Sequence, residues 1–242
     1  TRSKARGAIL AGQVYVNGER IDKAGARVAP DADIRLEGSA LPYVSRGGLK
    51  LEKALRLWSL SVAGAVCLDV GASTGGFTDC LLQHGARLVF AVDVGYGQLA
   101  WKLRQDPRVV VLERLNARYL QPAHLEYSGR TWTPEFACVD VAFISLQLIL
   151  PPVFGVLAPG APCVALIKPQ FEAGPEKVGK GGIVRDPAVH REVLATVLDF
   201  IRAQGARVLG LTHSPLTGGE GNIEFLLYCR APGGEGPETA AG

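Results

Sequence analysis

The sequence has no methionine anywhere, no Cys-x-x-Cys pair and no apolar run long enough to cross a bilayer. The five cysteines, Cys67, Cys80, Cys138, Cys163 and Cys229, are scattered and odd in number, which fits neither a disulfide framework nor a zinc site. They read as buried thiols of a reducing cytosol, and no metal is expected. The longest apolar stretch, 139 to 157, is broken by Asp140, Ser145, Gln147, Pro151 and Pro152. That excludes a spanning helix and leads to the expectation of a soluble, cytoplasmic protein without a membrane partner. The chain opens on Thr1 with no signal-peptide pattern, as expected of a trimmed or processed start. Charge is present but sparse, 20% of residues against 48% hydrophobic, a balance that sustains a packed core and excludes disorder for most of the 242 residues. That length suits one large domain or two unequal ones.

Net charge is only +3, so its distribution matters more than its size. Between residues 1 and 27, six cations (Arg2, Lys4, Arg6, Arg20, Lys23, Arg27) face two acids (Glu19, Asp22). Ser3 is placed to cap a short helix bearing Ala5, Ala8 and Ile9, and Gly12 to end it. Val14 to Val16 then favour a strand, Asn17-Gly18 a tight hairpin turn, and Arg20 to Val28 the returning segments. The order of S-K-A-R, glycine, V-Y-V-N-G and a later Lys23 resembles the RNA-binding module named after ribosomal protein S4, here without its usual first helix. The resemblance implies that residues 1 to 40 form an α+β RNA-binding unit whose Lys4, Arg6, Arg20 and Lys23 meet phosphates.

From residue 63 to 230, strand-like and helix-like segments alternate, which predicts an α/β doubly wound parallel sheet. Strands are expected at 65–71, 87–94, 108–113, 136–141, 162–168, 206–213 and 223–229. The last two are joined by too little chain for a helical crossover and should pair antiparallel at the sheet edge. Asp186 and Pro187 start a helix whose Val193, Leu194, Val197, Leu198 and Ile201 share a face before Gly205. The first strand runs into Asp69-Val70-Gly71-Ala72-Ser73-Thr74-Gly75-Gly76-Phe77, with a helix expected from about Thr78. This loop departs from the G-x-G-x-x-G of dinucleotide binding. Asp93 closes the second strand, where a carboxylate can accept both hydroxyls of a ribose. Loop and acid together resemble the binding loop of class I S-adenosylmethionine methyltransferases. The resemblance implies that Asp69, Gly71, Ala72, Ser73, Gly75, Gly76, Phe77 and Asp93 bind S-adenosylmethionine; Asn116, after the third strand, is a candidate adenine contact.

Four polar residues stand at element ends. Asp140 and Lys168 close apolar strands, Glu224 opens the last one, and Lys50 lies in the first turn of a helix whose Leu51, Ala54, Leu55 and Trp58 face inward. Carboxyl ends of parallel strands form the ligand crevice of an open α/β sheet, and an antiparallel last strand begins there, so the strand residues converge on one rim. The order Lys50, Asp140, Lys168, Glu224 resembles the K-D-K-E tetrad of FtsJ-related RNA ribose 2′-O-methyltransferases. With S-R-G-G-x-K-L, D-V-G-A-S-T-G-G-F, I-K-P-Q-F-E and the S4-like start, the chain resembles the TlyA family, also called hemolysin A, of rRNA methyltransferases. This implies methylation of cytidine ribose in ribosomal RNA or ribosomal subunits, with those four residues catalytic and Lys168 preferred as the base.

Residues 41 to 62 read as a linker and helix carrying Arg46 and Lys50. The glycine-rich stretch 172 to 185 reads as an RNA-gripping lid through Lys177, Lys180 and Arg185, and 231 to 242 as a disordered tail. Two other classes compete with catalysis. One is a non-catalytic rRNA or ribosome-assembly binder, against which the tetrad speaks. The other is a membrane-damaging hemolysin, against which the lack of a spanning segment and of a long basic amphipathic helix speaks. No motif bears on oligomeric state.

Overall fold

The structure is a computed structural model and describes residues 2–10, 12–36, 41–218 and 221–234. At the N-terminus a helix α1 (Arg2–Leu10) precedes three short antiparallel strands, β1 (Val14–Val16), β2 (Glu19–Ile21) and β3 (Ile34–Leu36), in the order β2-β1-β3. Asn17 and Gly18 both take positive φ, 51° and 84°, as a two-residue turn matched to strand twist requires. Ser3, expected as the cap, lies inside α1 instead, and the second returning strand is at 34–36 rather than before Val28. Asn17 accounts for that register: its backbone N–H donates to the carbonyl of Asp33, and its side-chain oxygen accepts from the Asp33 N–H.

The rest of the chain builds a seven-stranded sheet. Its elements are α2 (Gly47–Leu57), β4 (Val66–Val70), α3 (Gly76–Gln83), β5 (Leu88–Val92), α4 (Trp101–Arg104) and β6 (Val109–Leu112), then a two-strand hairpin of β7 (Glu126–Tyr127) and β8 (Arg130–Thr131). There follow β9 (Phe136–Val139), α5 (Leu146–Val156), β10 (Pro162–Ile167), α6 (Pro169–Glu172), α7 (Pro187–Ala203), β11 (Arg207–His213) and β12 (Phe225–Arg230). The strand order is β11-β12-β10-β9-β4-β5-β6, and β12 runs antiparallel to both its neighbours. The expected antiparallel pair is present, with β11 on the edge and β12 inserted beside β10.

Alternation along each strand divides the core. Val66, Leu68 and Val70 of β4 point to the side packed by α5 and α7, whereas Cys67 points to α2 and α3. All five cysteines are free and buried. Asp186 caps α7 by accepting from the Ala188 N–H, and Val193, Val197 and Ile201 are buried beneath it. Pro151 and Pro152, read above only as breaks in an apolar run, fall inside α5. Burial of Leu146, Ile149, Leu150 and Val153 outweighs the lost backbone bonds. Trp58 ends α2 half-buried: its indole lies where Gly210 has no side chain, and its ring is 5.5 Å from that of Tyr228.

Part of the segment expected as a tail, 231–234, is ordered. Ala231 is buried in the core and Pro232 to Gly234 turn back onto Gly160, whereas 235–242 lie outside the described residues.

Candidate active site

The chain leaves β4 outward through β5 and β6 and returns to β9 on the other flank of β4. Ligands bind at such a switch point, beyond the carboxyl ends of the strands. A cavity of about 460 Å³ opens there, lined among others by Gly71, Ser73, Asp93, Asn116, Asp140 and Ile144. Its size suits a small-molecule ligand. Asp93 holds the floor together: one carboxylate oxygen accepts from the Ser73 N–H and the other from the Gly95 N–H, both at 2.7 Å. Gly71 has φ +84°, and a side chain there would overlap the carbonyl of Asp140, so only glycine lets β4 and β9 close on each other. Asn116 lines the cavity and also caps a 3₁₀ turn, its oxygen accepting from the Arg118 N–H at 3.0 Å.

Other loop residues do not line this cavity. Ala72 and Phe77 are buried among apolar neighbours. A side chain on Gly75 would strike Leu99 and Leu103, and one on Gly76 would strike Ser45 and the backbone of Gly48. These glycines therefore let α3 pack on α4 and on the start of α2. Asp69 is fully buried and its Oδ2 accepts from the Thr78 hydroxyl at 2.6 Å. Burial, reinforced by the charge of Asp140 and partly offset by the Thr78 hydrogen bond, pushes its carboxyl up to about 7. Asp69 therefore does not line the cavity and holds the first turn of α3 from inside the core.

The four residues of the tetrad form two ion pairs. Lys50 Nζ of α2 lies 2.6 Å from Glu224 Oε2, and Lys168 Nζ at the end of β10 lies 2.7 Å from Asp140 Oδ1. The Lys50 and Glu224 side chains are only 11% and 2% exposed. Lys50 reaches this position because the S-R-G-G turn lets α2 start tightly against its surroundings. Gly48 packs on the ring of Tyr43, and the Val44 N–H donates to Asp79 of α3. Glu224 is backed by Gly218, whose missing side chain makes room for the carboxylate.

Two residues near the site had no role on sequence. Glu172, on α6, accepts from the Ser145 hydroxyl and the Leu146 N–H, each at 2.7 Å, and thereby ties the segment after Lys168 to the segment after Asp140. Burial raises its carboxyl above the usual range. Phe143 lines the cavity with φ +62° and 89% exposure, its ring 4.9 Å from Phe171. The motif that ends on Glu172 gave it no contact of its own, and an aromatic in the segment after β9 carries no local signal for such a placement.

Of the cations expected to meet RNA, Arg6, Arg20, Lys23, Arg46, Lys180 and Arg185 are exposed. Lys177 is drawn into an ion pair with Glu192 of α7. The side chain of Lys4 lies outside what is described. Among the described residues no helix is long and apolar enough to cross a membrane.

The sheet order, its antiparallel last strand and the cavity at the switch point with an acid on the second strand define a class I S-adenosylmethionine methyltransferase. The family model of FtsJ-like methyltransferases matches residues 43–231 and that of the S4 domain residues 1–34. A Bacillus subtilis protein, provisionally named rRNA methyltransferase YqxC, is 57% identical over 98% of this chain and 83% of its own length. The 16S/23S rRNA (cytidine-2′-O)-methyltransferase TlyA of Mycobacterium tuberculosis is 44% identical over 95% of this chain and 84% of its own. A solved Streptococcus thermophilus structure, provisionally described as a hemolysin, superposes with a TM-score of 0.79 at 50% identity, covering 98% of this chain and 86% of that one. The chain belongs to the TlyA family of FtsJ-like methyltransferases.

Proposed function

We propose that this chain transfers a methyl group from S-adenosylmethionine to the ribose 2′-hydroxyl of cytidine in ribosomal RNA. The single observation that carries the reading is the two partly buried lysine–carboxylate contacts, one of which borders the cavity through Asp140. The name of the Mycobacterium tuberculosis relative supports the choice of ribose, cytidine and rRNA. The cavity fits the cofactor in chemistry as well as size: Asp93 offers a carboxylate for a ribose diol, and Leu115, Ala117 and Ile149 offer an apolar wall for a flat base. When bound, S-adenosylmethionine supplies an electrophilic methyl carbon on a sulfonium, which the ribose oxygen takes by direct displacement.

A ribose hydroxyl is a weak nucleophile near neutral pH, so this chain must remove its proton and hold it in line. Lys168, at the end of a parallel strand, is the proposed base: its neutral amine takes the hydroxyl proton as the oxygen–methyl bond forms, and Asp140 holds that nitrogen in place and stabilises the ammonium produced. Lys50 orients the ribose and Glu224 fixes the rotamer of Lys50. Exposed Arg6, Arg20, Lys23 and Arg46, with Lys180 and Arg185 of the glycine-rich loop, supply phosphate contacts. The test is incubation with labelled S-adenosylmethionine and unmodified ribosomal subunits, followed by mapping of the label. Label on a cytidine 2′-oxygen is expected, and Lys168→Ala should lose roughly a hundredfold or more in rate with cofactor affinity within a few-fold. Label on a base, or a Lys168→Ala enzyme of near-normal rate, refutes the corresponding part.

A further inference from the structure

Two residues before Glu224, Asn222 is 3% exposed and spends its amide on another segment. Its oxygen accepts from the Val184 N–H at 3.0 Å and its nitrogen donates to the Gly182 carbonyl at 2.9 Å. Both partners belong to the glycine-rich loop that carries Lys180 and Arg185. That loop has internal order: the Gly179 N–H donates to the Ile183 carbonyl at 3.0 Å, and Gly181 and Gly182 take φ of 78° and 74°. Val184 is buried, and its carbonyl lies 3.1 Å from Nε2 of His190 on α7. A carbonyl can only accept, so that ring nitrogen carries the proton. The His190 ring meets Phe225, the first residue of β12, edge-on at 5.7 Å.

On its other side Asn222 is built into the wall of the Glu224 pocket. Its carbonyl accepts from the Gly218 N–H at 2.8 Å, and Gly218 is the residue whose missing side chain admits the Glu224 carboxylate. The Glu224 carbonyl in turn accepts from the Ser214 N–H at 2.8 Å. A buried amide bound through both its ends leaves little freedom: aspartate would oppose an acceptor to the Gly182 carbonyl, and an apolar residue would strand both loop groups.

We infer that Asn222 is a positioning residue that ties the glycine-rich basic loop to the segment carrying Glu224, so that the loop's placement sets the Lys50–Glu224 pair. The inference rests on the roles proposed above for those two residues. Its consequence is that the surface offered to RNA and the group that orients the ribose move as one unit. Loss of Asn222 then lowers the rate of methyl transfer without weakening cofactor binding, because the cavity floor around Asp93 is built from other segments.

The experiment compares wild type, Asn222→Ala, Asn222→Asp, Glu224→Gln and the two Asn222 variants in the Glu224→Gln background. Single-turnover methylation of saturating ribosomal subunits, calorimetry with S-adenosylmethionine and thermal unfolding are measured on each. Asn222→Ala should slow transfer on the order of tenfold to a hundredfold, the range for small misplacement of reacting groups, with cofactor Kd within about twofold. Asn222→Asp, nearly isosteric, should be as slow because it lacks the donor to Gly182. In the Glu224→Gln background either change should cost little more, since residues that act through one another do not add. A rate within about twofold of wild type, or a full repeat of the loss in the Glu224→Gln background, overturns the inference. Should Asn222→Ala fail to fold, Asn222→Asp carries the same comparison. Glu224→Gln at wild-type rate would instead overturn the reading of the ion pairs, and the inference with it.

Discussion

Replacing Glu224 by glutamine keeps the shape of the side chain and removes its charge, so it isolates what the ion pair does. Lys50 would then stand with about a tenth of its side chain exposed and without the carboxylate now 2.6 Å away. Removing one partner of a buried pair typically costs about 3–5 kcal/mol, because the other charge is left desolvated. A solvated surface pair would cost less than about 1 kcal/mol. Glu224→Gln should therefore lower the unfolding free energy in urea by about 3 kcal/mol. Adding Lys50→Met removes the stranded ammonium and should bring stability back to within about 1 kcal/mol of wild type, as uncharged replacements of buried pairs often do. Activity should not return with it: single-turnover methylation should stay measurable but equally slow in both, well below wild type. A single variant that loses less than about 1 kcal/mol would mean the pair is not desolvated. A double variant that methylates at the wild-type rate would mean that neither charge serves the chemistry.

Asp93→Ala removes the acceptor of two loop N–H groups at 2.7 Å as well as the proposed ribose contact, so calorimetry should show S-adenosylmethionine binding weakened by about 1–3 kcal/mol; unchanged affinity would remove Asp93 from the cofactor site. Asp69 supplies a pH test. Its carboxyl titrates near 7 when folded, against a usual value near 4. Between these values the folded chain holds a proton that the unfolded chain has released, so this contribution to stability is full in acid and lost as pH rises through 7. From pH 5 to pH 8, wild-type stability should fall relative to that of Asp69→Asn by about 2–3 kcal/mol in urea titrations. Parallel curves would mean that Asp69 stays ionised in the core.

Much of the scaffold was readable because β4, β5 and β10 are buried on both faces: β5 and β10 appear as apolar runs ended by aspartate and lysine, and β4 as one interrupted only by Asp69 before its glycine. The helix α7 announces itself by its cap and its periodic apolar face. What stayed hidden depends on contacts far away in sequence. The prolines of α5 are tolerated because its apolar side chains are packed by the sheet, and β3 is placed by the bonds between Asn17 and Asp33, not by local pattern.

The site divides along the same physical line. A polar residue at the end of an apolar strand is costly unless it has a partner, so Asp140 and Lys168 were conspicuous, yet nothing in one dimension says which acid meets which lysine. The glycine loop was harder. Asp69 and Asp93 are both acids near strand ends, but Asp69 is still inside β4 and bonded to Thr78, whereas Asp93 lies just past the end of β5 and lines the cavity. Two residues of difference in where an acid stands relative to the strand end decide whether a carboxylate lies in the core or lines the cavity. Glu172 makes the complementary case: the I-K-P-Q-F-E motif that ends on it gives it no role of its own, and its importance follows from the Ser145 and Leu146 groups it joins across the rim of the sheet. A residue that ties two separate segments together is visible only once those segments have folded side by side.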